Sequence, residues 1–291
     1  MTAKLLDGKA VAAAIRATLP PAVAAICKAR GRAPGMAIVT HTPEESAGAY
    51  MRAKLKACAE VGIWAQAYPC EAGADLDRMT KLISRLGSDP AIDGIIVEQP
   101  LPKSWDPAAV FSAIPPHKDV EGVNPVNYGR FFLAKSAAEI ASSDITPPCT
   151  VAAIIALLRE SGLHVPGKEA VVVGRSEIVG RPAAHFLTAL DATVTLCHSQ
   201  TQDLPGHLRR ADIVVAGLGR AQFIRGSWLK PGAVVIDAGI NRSQGAWVGD
   251  VNYAEACGTA SFITPVPGGV GPVTTAVVLA NTVKAAQRQA P

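Results

Sequence analysis

No apolar run in this 291-residue chain is long enough to span a bilayer: the longest, such as 150–158 (TVAAIIALL), fall well short of the roughly 18 to 20 residues that a helical span requires. The opening MTAKLLDGKAVAAAI has no continuous apolar core with a cleavage site and carries Asp7 and Lys9 among its alanines, which predicts a capped helix rather than a signal peptide. Six cysteines (Cys27, Cys58, Cys70, Cys149, Cys197 and Cys257) are scattered without a CxxC pair. That excludes the usual spacing of a zinc site or disulfide frame and predicts reduced thiols in a cytosolic protein. Charge is sparse and unclustered: 18% of residues are Asp, Glu, Lys or Arg, the formal net charge is +4, and no basic stripe is present. Neither nucleic acid nor membrane is an expected partner, and the mild excess favours anionic small molecules. Low-complexity tracts are also lacking. What is there is 49% apolar, in a chain long enough for one large or two ordinary globular domains.

Punctuation by Gly, Pro and capping residues predicts the elements. Residues 7–29 read as an amphipathic helix with Asp7 as cap and a break at Pro20-Pro21, and 36–41 as a strand. Residues 46–61 read as a helix stopped by Gly62, 64–68 as a strand, 75–86 as a helix capped by Asp75 and ended by Gly87, and 93–98 (DGIIVE) as a buried strand. Residues 115–127 (PPHKDVEGVNPVN) have no period and form either a connector or an active-site loop, and 128–148 run on irregularly. A helix over 150–161 ends at Gly162. Strands then fall at 169–173, 192–197, 212–216, 233–237 and 260–264, with helices at 179–190 and 203–210 between them, and a last helix covers 273–287. Strand–helix alternation makes both halves α/β, the second with a parallel Rossmann-type sheet.

The organising stretch is 170–182 (AVVVGRSEIVGRP). A buried strand running into a glycine turn and a helix start offers free backbone N–H groups and a positive dipole end to a phosphate. The spacing G-R-S-x-x-x-G is not the generic G-x-G-x-x-G, and alone it also fits an α/β turn that binds nothing. The next strand ends Cys197, His198, Ser199, Gln200, with no acid before Asp203. A carboxylate there grips the ribose in NAD-binding folds; its lack, with Arg175 close by, favours the 2′-phosphate of NADP.

Together, 50–63 (YMRAKLKACAEVGI), 118–127 (KDVEGVNPVN), 171–182, 193–201 (TVTLCHSQT), 231–241 (PGAVVIDAGIN) and 263–276 (ITPVPGGVGPVTTA) resemble the bifunctional methylenetetrahydrofolate dehydrogenase/cyclohydrolases, in that family's order over nearly the whole chain. The resemblance implies two α/β domains with an active-site cleft between them. A folate-binding catalytic domain would cover 1–147, joined by a C-terminal helix at 273–291, and an NADP-binding domain 148–272. It implies a homodimer, a tetrahydrofolate derivative as substrate and NADP as cofactor. Tyr50 and Lys54 match the stacking tyrosine and catalytic lysine, and their i, i+4 spacing puts both on one helical face. Gly174, Arg175, Ser176 and Ile178 match the phosphate turn, His198 and Ser199 the 2′-phosphate end, and Ile240 the nicotinamide side. Val97, Gln99 and the loop Pro267, Gly268, Gly269, Val270, Gly271 match substrate-side positions.

Four departures fall near the chemistry. Glu98 stands where the family has glutamine, Glu121 where it has aspartate, Val151 replaces the second proline of P-C-T-P, and 42–47 (TPEESA) replaces G-D-x-P-A-S. A carboxylate within about 4 Å of Lys54 would favour the ammonium form, and each unit of that shift lowers the neutral-lysine fraction tenfold, about 1.4 kcal/mol. Hydride transfer from 5,10-methylenetetrahydrofolate is expected to survive. Hydrolysis of the methenyl product to 10-formyltetrahydrofolate is expected to weaken unless Glu98 is itself the base, and Glu121 is expected to hold the pterin. The rivals are a drifted relative, dehydrogenase-only or merely binding folate or nucleotide, and a shikimate-type dehydrogenase sharing only the Rossmann half. The YMRAK and KDVEG matches weigh against the last. Apolar positions on a short edge strand near 218–225 are expected to suit a dimer.

Overall fold

The structure, a computed structural model, describes residues 2–41, 44–70, 73–142 and 145–289, with backbone alone for 44–50 and 142. In chain order it opens with β1 (Lys4–Leu5), α1 (Gly8–Ala17), α2 (Leu19–Arg30), β2 (Gly35–Thr40), α3 (Glu44–Val61) and β3 (Trp64–Pro69). Then come α4 (Leu76–Ser88), β4 (Gly94–Val97), α5 (Pro107–Ser112), α6 (Pro125–Leu133) and α7 (Ala137–Ser142). The rest runs α8 (Cys149–Glu160), β5 (Glu169–Val173), α9 (Gly180–Ala189), β6 (Thr193–Cys197), α10 (Leu204–Leu208) and β7 (Ile213–Ala216). It closes with β8 (Val234–Asp237), β9 (Asn241–Ser243), β10 (Ala246–Val248), α11 (Tyr253–Ala256), β11 (Phe262–Ile263) and α12 (Val270–Arg288).

Two compact units emerge, one of Ala14–Phe131 with Thr275–Pro291 and the other of Met1–Ala13 with Phe132–Thr274. In the first, β2 is the centre of a parallel sheet ordered β3-β2-β4 and is buried along its whole length, as a strand covered on both faces must be. Ala37, Val39, Ile95 and Val97 share one face with Met79, Ile83 and Leu86 of α4 and Val110 and Phe111 of α5. Because side chains alternate, the residue after Val97, Glu98, turns to the other face, while its N–H still bonds Val39 O and prolongs the ladder.

The second unit holds a parallel sheet ordered β1-β11-β8-β7-β5-β6. From β5 the chain goes first to β6 on one side and then to β7 on the other, the order reversal at which α/β sheets bind ligands. The two-residue β1, paired Lys4↔Phe262 and Leu5↔Ile263, carries no pattern that a sequence could show.

Local chemistry explains the helices. Asp7 Oδ1 accepts the N–H groups of Lys9 (2.9 Å) and Ala10 (3.3 Å) at the start of α1. Pro20 and Pro21 lie in the first turn of α2, where a missing N–H costs nothing, so 7–29 becomes two helices meeting at Thr18. By composition, residues 8–30 are the one stretch among the described residues long and apolar enough to cross a membrane, although no uninterrupted apolar run within it is that long. Asp75 caps α4 by accepting Arg78 N–H at 2.9 Å.

Three expectations need correction, and one element was not foreseen. Gly87 does not end α4, which runs to Ser88; a Cβ at Gly87 would come within 2.7 Å of Pro115 Cγ, so that glycine serves a contact. Residues 128–148 are not irregular, since α6 and α7 occupy much of them. No strand forms at 218–225: a single bridge joins Ile224 to Val251, and Leu218 and Phe223 pack against the core rather than presenting an apolar edge. The hairpin β9–β10 was not foreseen because its strands lack apolar alternation. Its turn is marked only by the positive φ of Gln244 (48°) and Gly245 (81°), as a two-residue hairpin loop requires.

Candidate active site

The cofactor turn is built by close packing. A Cβ on Gly174 (φ 120°) would collide with the carbonyl oxygen of Gly217 at the end of β7, and one on Gly180 with that of Gly174. These two glycines therefore let β5, β7 and the start of α9 meet backbone to backbone, which the G-R-S-x-x-x-G spacing encodes. Ser176 Oγ accepts the N–H of Val179 (3.2 Å) and Gly180 (3.4 Å) at the helix start. Arg175 and Ser176 are exposed and Ile178 half-buried.

At the end of β6, His198 N–H bonds Thr201 Oγ1 (2.8 Å) and Gln200 N–H bonds His198 Nδ1 (3.2 Å), leaving Ser199 exposed. Asp203, the first acid past this strand, accepts Gly206 N–H at 3.1 Å as the N-cap of α10. It is spent on the helix, so the end of β6 presents no uncommitted carboxylate, while Arg175 and Ser199 are exposed. The cradle fits NADP.

The turn after β8 carries Ile240, 67% exposed. Asp237 holds it by accepting N–H groups from Gly239, Asp250 and Val251, and burial pushes its carboxyl up to about 6 against those bonds. Asp250 in turn accepts the N–H groups of Leu218, Gly219 and Arg220 and Asn241 Nδ2. Neither aspartate is singled out by spacing; both are positioning residues for these turns. Of the 267–270 segment, only Pro267 is exposed. Gly268, Gly269 and Val270 are buried, and Gly269 O packs where a Cβ on Gly8 would stand.

In the other unit, Lys54 Nζ donates to Glu98 Oε1 at 2.7 Å, with the two side chains only 11% and 14% exposed. This is the contact expected from the glutamate at 98. One turn beyond, burial pushes the Cys58 thiol up to about 12, against the pull of the Lys54 charge. Tyr50 precedes Lys54 by one turn on α3, and its side chain lies outside the described residues, as does the structure of residues 42 and 43 in the rebuilt 42–47 loop. Val97 is a correction: its side chain belongs to the apolar core, so only its backbone can face a ligand. Gln99 is exposed and precedes a cis peptide to Pro100.

The loop after the single 3-10 turn Pro116–Lys118 is locked by its own side chains. Asp119 Oδ1 accepts the N–H groups of Glu121, Gly122 and Val123, and its Oδ2 those of Asn124 and of Asn127 Nδ2. Asn124 Nδ2 bonds the carbonyls of Phe111 and Ile114, and Asn281 of α12 bonds Val120 O. Asp119 thus has no oxygen left for a ligand, and the loop presents Glu121 instead. Burial raises the Glu121 carboxyl to about 7; Lys54 and a Val97 N–H bond oppose this, while Glu98 and Asp119 reinforce it. Its Oε2 is sealed from solvent with no hydrogen-bond partner among the described residues. Asp119, Asn124 and Asn127 were missed as positioning residues, although an Asp followed by Gly and two Asn in ten residues is a signal for side-chain-to-backbone turns. No His, Cys, Asp or Glu group suited to a metal occurs among the described residues.

Two family models match the chain: the tetrahydrofolate dehydrogenase/cyclohydrolase catalytic domain over residues 6–121, and the NAD(P)-binding domain of the same family over 148–290. The bifunctional protein FolD of Pelobacter propionicus is 45% identical over 287 residues, 98% of each chain. The methylenetetrahydrofolate dehydrogenase/cyclohydrolase of Campylobacter jejuni superposes with a TM-score of 0.91 at 36% identity, covering 98% of this chain and 99% of that one. The Trypanosoma brucei enzyme, solved with NADP and an inhibitor, gives 0.91 at 37% identity over 99% and 98%.

Proposed function

We infer from this chain's membership of the tetrahydrofolate dehydrogenase/cyclohydrolase family that it oxidises 5,10-methylenetetrahydrofolate to the methenyl form with NADP and hydrolyses that product to 10-formyltetrahydrofolate. The observation that carries the site assignment is the buried group of Lys54, Glu98 and Glu121. NADP, when bound, supplies the hydride acceptor; Arg175 and Ser199 would hold its 2′-phosphate and the Gly174–Ser176 turn its diphosphate.

The pterin of the substrate offers adjacent N–H donors, and the unpartnered Glu121 Oε2 is the acceptor poised for them. Tyr50 would stack on the folate from the same helical face as Lys54. Loss of hydride leaves a cationic amidinium, and the carboxylate of Glu98, excluded from most solvent, favours that charge as it develops. Lys54, fixed by Glu98, steers proton transfer as water adds to that carbon and the ring opens. A homodimer belongs to the same proposal, though the surface near 218–225 gives it no support.

The test is NADPH formation, followed by absorbance, from methylenetetrahydrofolate and purified protein. Turnover with NADP well above that with NAD is expected, and Arg175→Ala with Ser199→Ala should erase most of the preference. Turnover with neither cofactor would sink the assignment.

A further inference from the structure

Hydrolysis of a methenyl amidinium requires a group that takes a proton from the attacking water. In this chain the lysine is poorly suited to it. Glu98 holds Lys54 as an ammonium at 2.7 Å in a place with little solvent, and an ammonium has no lone pair with which to accept a proton. Glu98 uses one oxygen on Lys54, and that bond is its side chain's one partner among the described residues. Its other oxygen is available, on the face of the sheet that carries Lys54. Cys58, one turn beyond Lys54 on α3, is buried with its thiol raised to about 12, which removes it as a base. Asp119 is saturated by its own loop.

We propose that Glu98 is the general base of the hydrolytic step and that Lys54 acts as its fixed ammonium partner. This rests on the folate reading above. Water adds through oxygen to the amidinium carbon while one of its protons passes to Glu98, giving a neutral carbinolamine and a protonated Glu98. That proton then goes to the ring nitrogen as its bond to the carbon breaks. The carbinol hydroxyl closes to the formyl C=O, and its proton leaves through Glu98 to solvent. One water is consumed and one proton released, with no change of oxidation state. Lys54 stabilises the oxygen as its charge grows and keeps the carboxylate aimed. The groups whose charge bears on Glu98 are Lys54 and Glu121.

Glu98→Gln keeps the shape and removes the base, and it is compared in the Lys54→Arg background, where no freed lysine can take the base's place. In that background the ratio of hydrolytic to dehydrogenase kcat is expected to fall about 100-fold or more below that of Lys54→Arg alone, the scale of a lost general base. Lys54→Arg, which keeps a cation that cannot deprotonate, is expected to retain hydrolysis within about tenfold of its own dehydrogenase rate. Glu98→Asp should restore part of the lost ratio. An unchanged ratio in the double variant, or loss of hydrolysis in Lys54→Arg alone, would overturn the proposal. Absence of NADPH formation in the unmutated protein would instead defeat the folate reading itself.

Discussion

Glu121 is where one side chain sets a measurable pH dependence. Its carboxyl, raised to about 7 by burial and by the nearby Glu98 and Asp119 charges against the pull of Lys54, would accept the two pterin N–H groups of the proposed substrate only when ionised. The folate KM should therefore fall as pH rises through about 7. Glu121→Gln keeps one acceptor and loses the charge. Because hydrogen bonds to charged groups contribute about 1.5–3 kcal/mol, the KM should rise about 10- to 100-fold for both reactions and lose that pH dependence. Steady-state KM measured from acid to alkaline pH for both proteins checks this. Glu98 and Glu121 were legible in the sequence as departures from a pattern. The ion pair could also be read, because the resemblance places at 98 a side chain that bonds the lysine. What could not be read is that Glu121 would be sealed, since that depends on Asp119 folding the loop over it.

At the scale of elements, the first unit is tied together at Asp93, the fully buried residue just before β4. Arg30 from α2 and Arg32 bond its carboxylate at 2.7–2.9 Å, Gly35 N–H of β2 at 2.8 Å, and Gln289 beyond α12 reaches its carbonyl. Burial alone would raise this carboxyl, but the Arg32, Gly35 and Arg30 bonds outweigh it and hold it below the ordinary range. A depressed folded value contributes stability that is full above the unfolded value of about 4 and is lost as pH falls through the folded one. Asp93→Asn leaves the two guanidinium groups without their counter-charge and should cost about 3–5 kcal/mol at neutral pH. Urea unfolding should show that loss at pH 7 and a smaller difference from the unmutated protein in acid. The helices and strands around Asp93 were legible from apolar period and capping, as with Asp75 before α4. The short β1, the β9–β10 hairpin and the continuation of α4 through Gly87 were not, because each depends on tertiary contact rather than on local pattern.

For the whole molecule, the family pattern covers both halves, residues 6–121 and 148–290, and the two chemistries draw on different parts of it. The glycine turn at 174–180 and the acid-free end of β6 set the cofactor. In the function proposed, the Lys54–Glu98 pair and the loop of Asp119 and Glu121 set the one-carbon chemistry. The glycine turn of the cofactor half could be read from spacing, because steric packing of glycine backbone leaves a rigid trace in sequence. The catalytic half could not, because the role of a carboxylate depends on which partners already occupy it. The most direct measurement follows both steps on one preparation, recording NADPH and methenyltetrahydrofolate after methylenetetrahydrofolate and NADP are mixed with the purified protein. NADPH should form while the methenyl compound stays well below it, because hydrolysis keeps pace. Methenyl product accumulating one for one with NADPH would contradict a working hydrolytic site at Lys54 and Glu98.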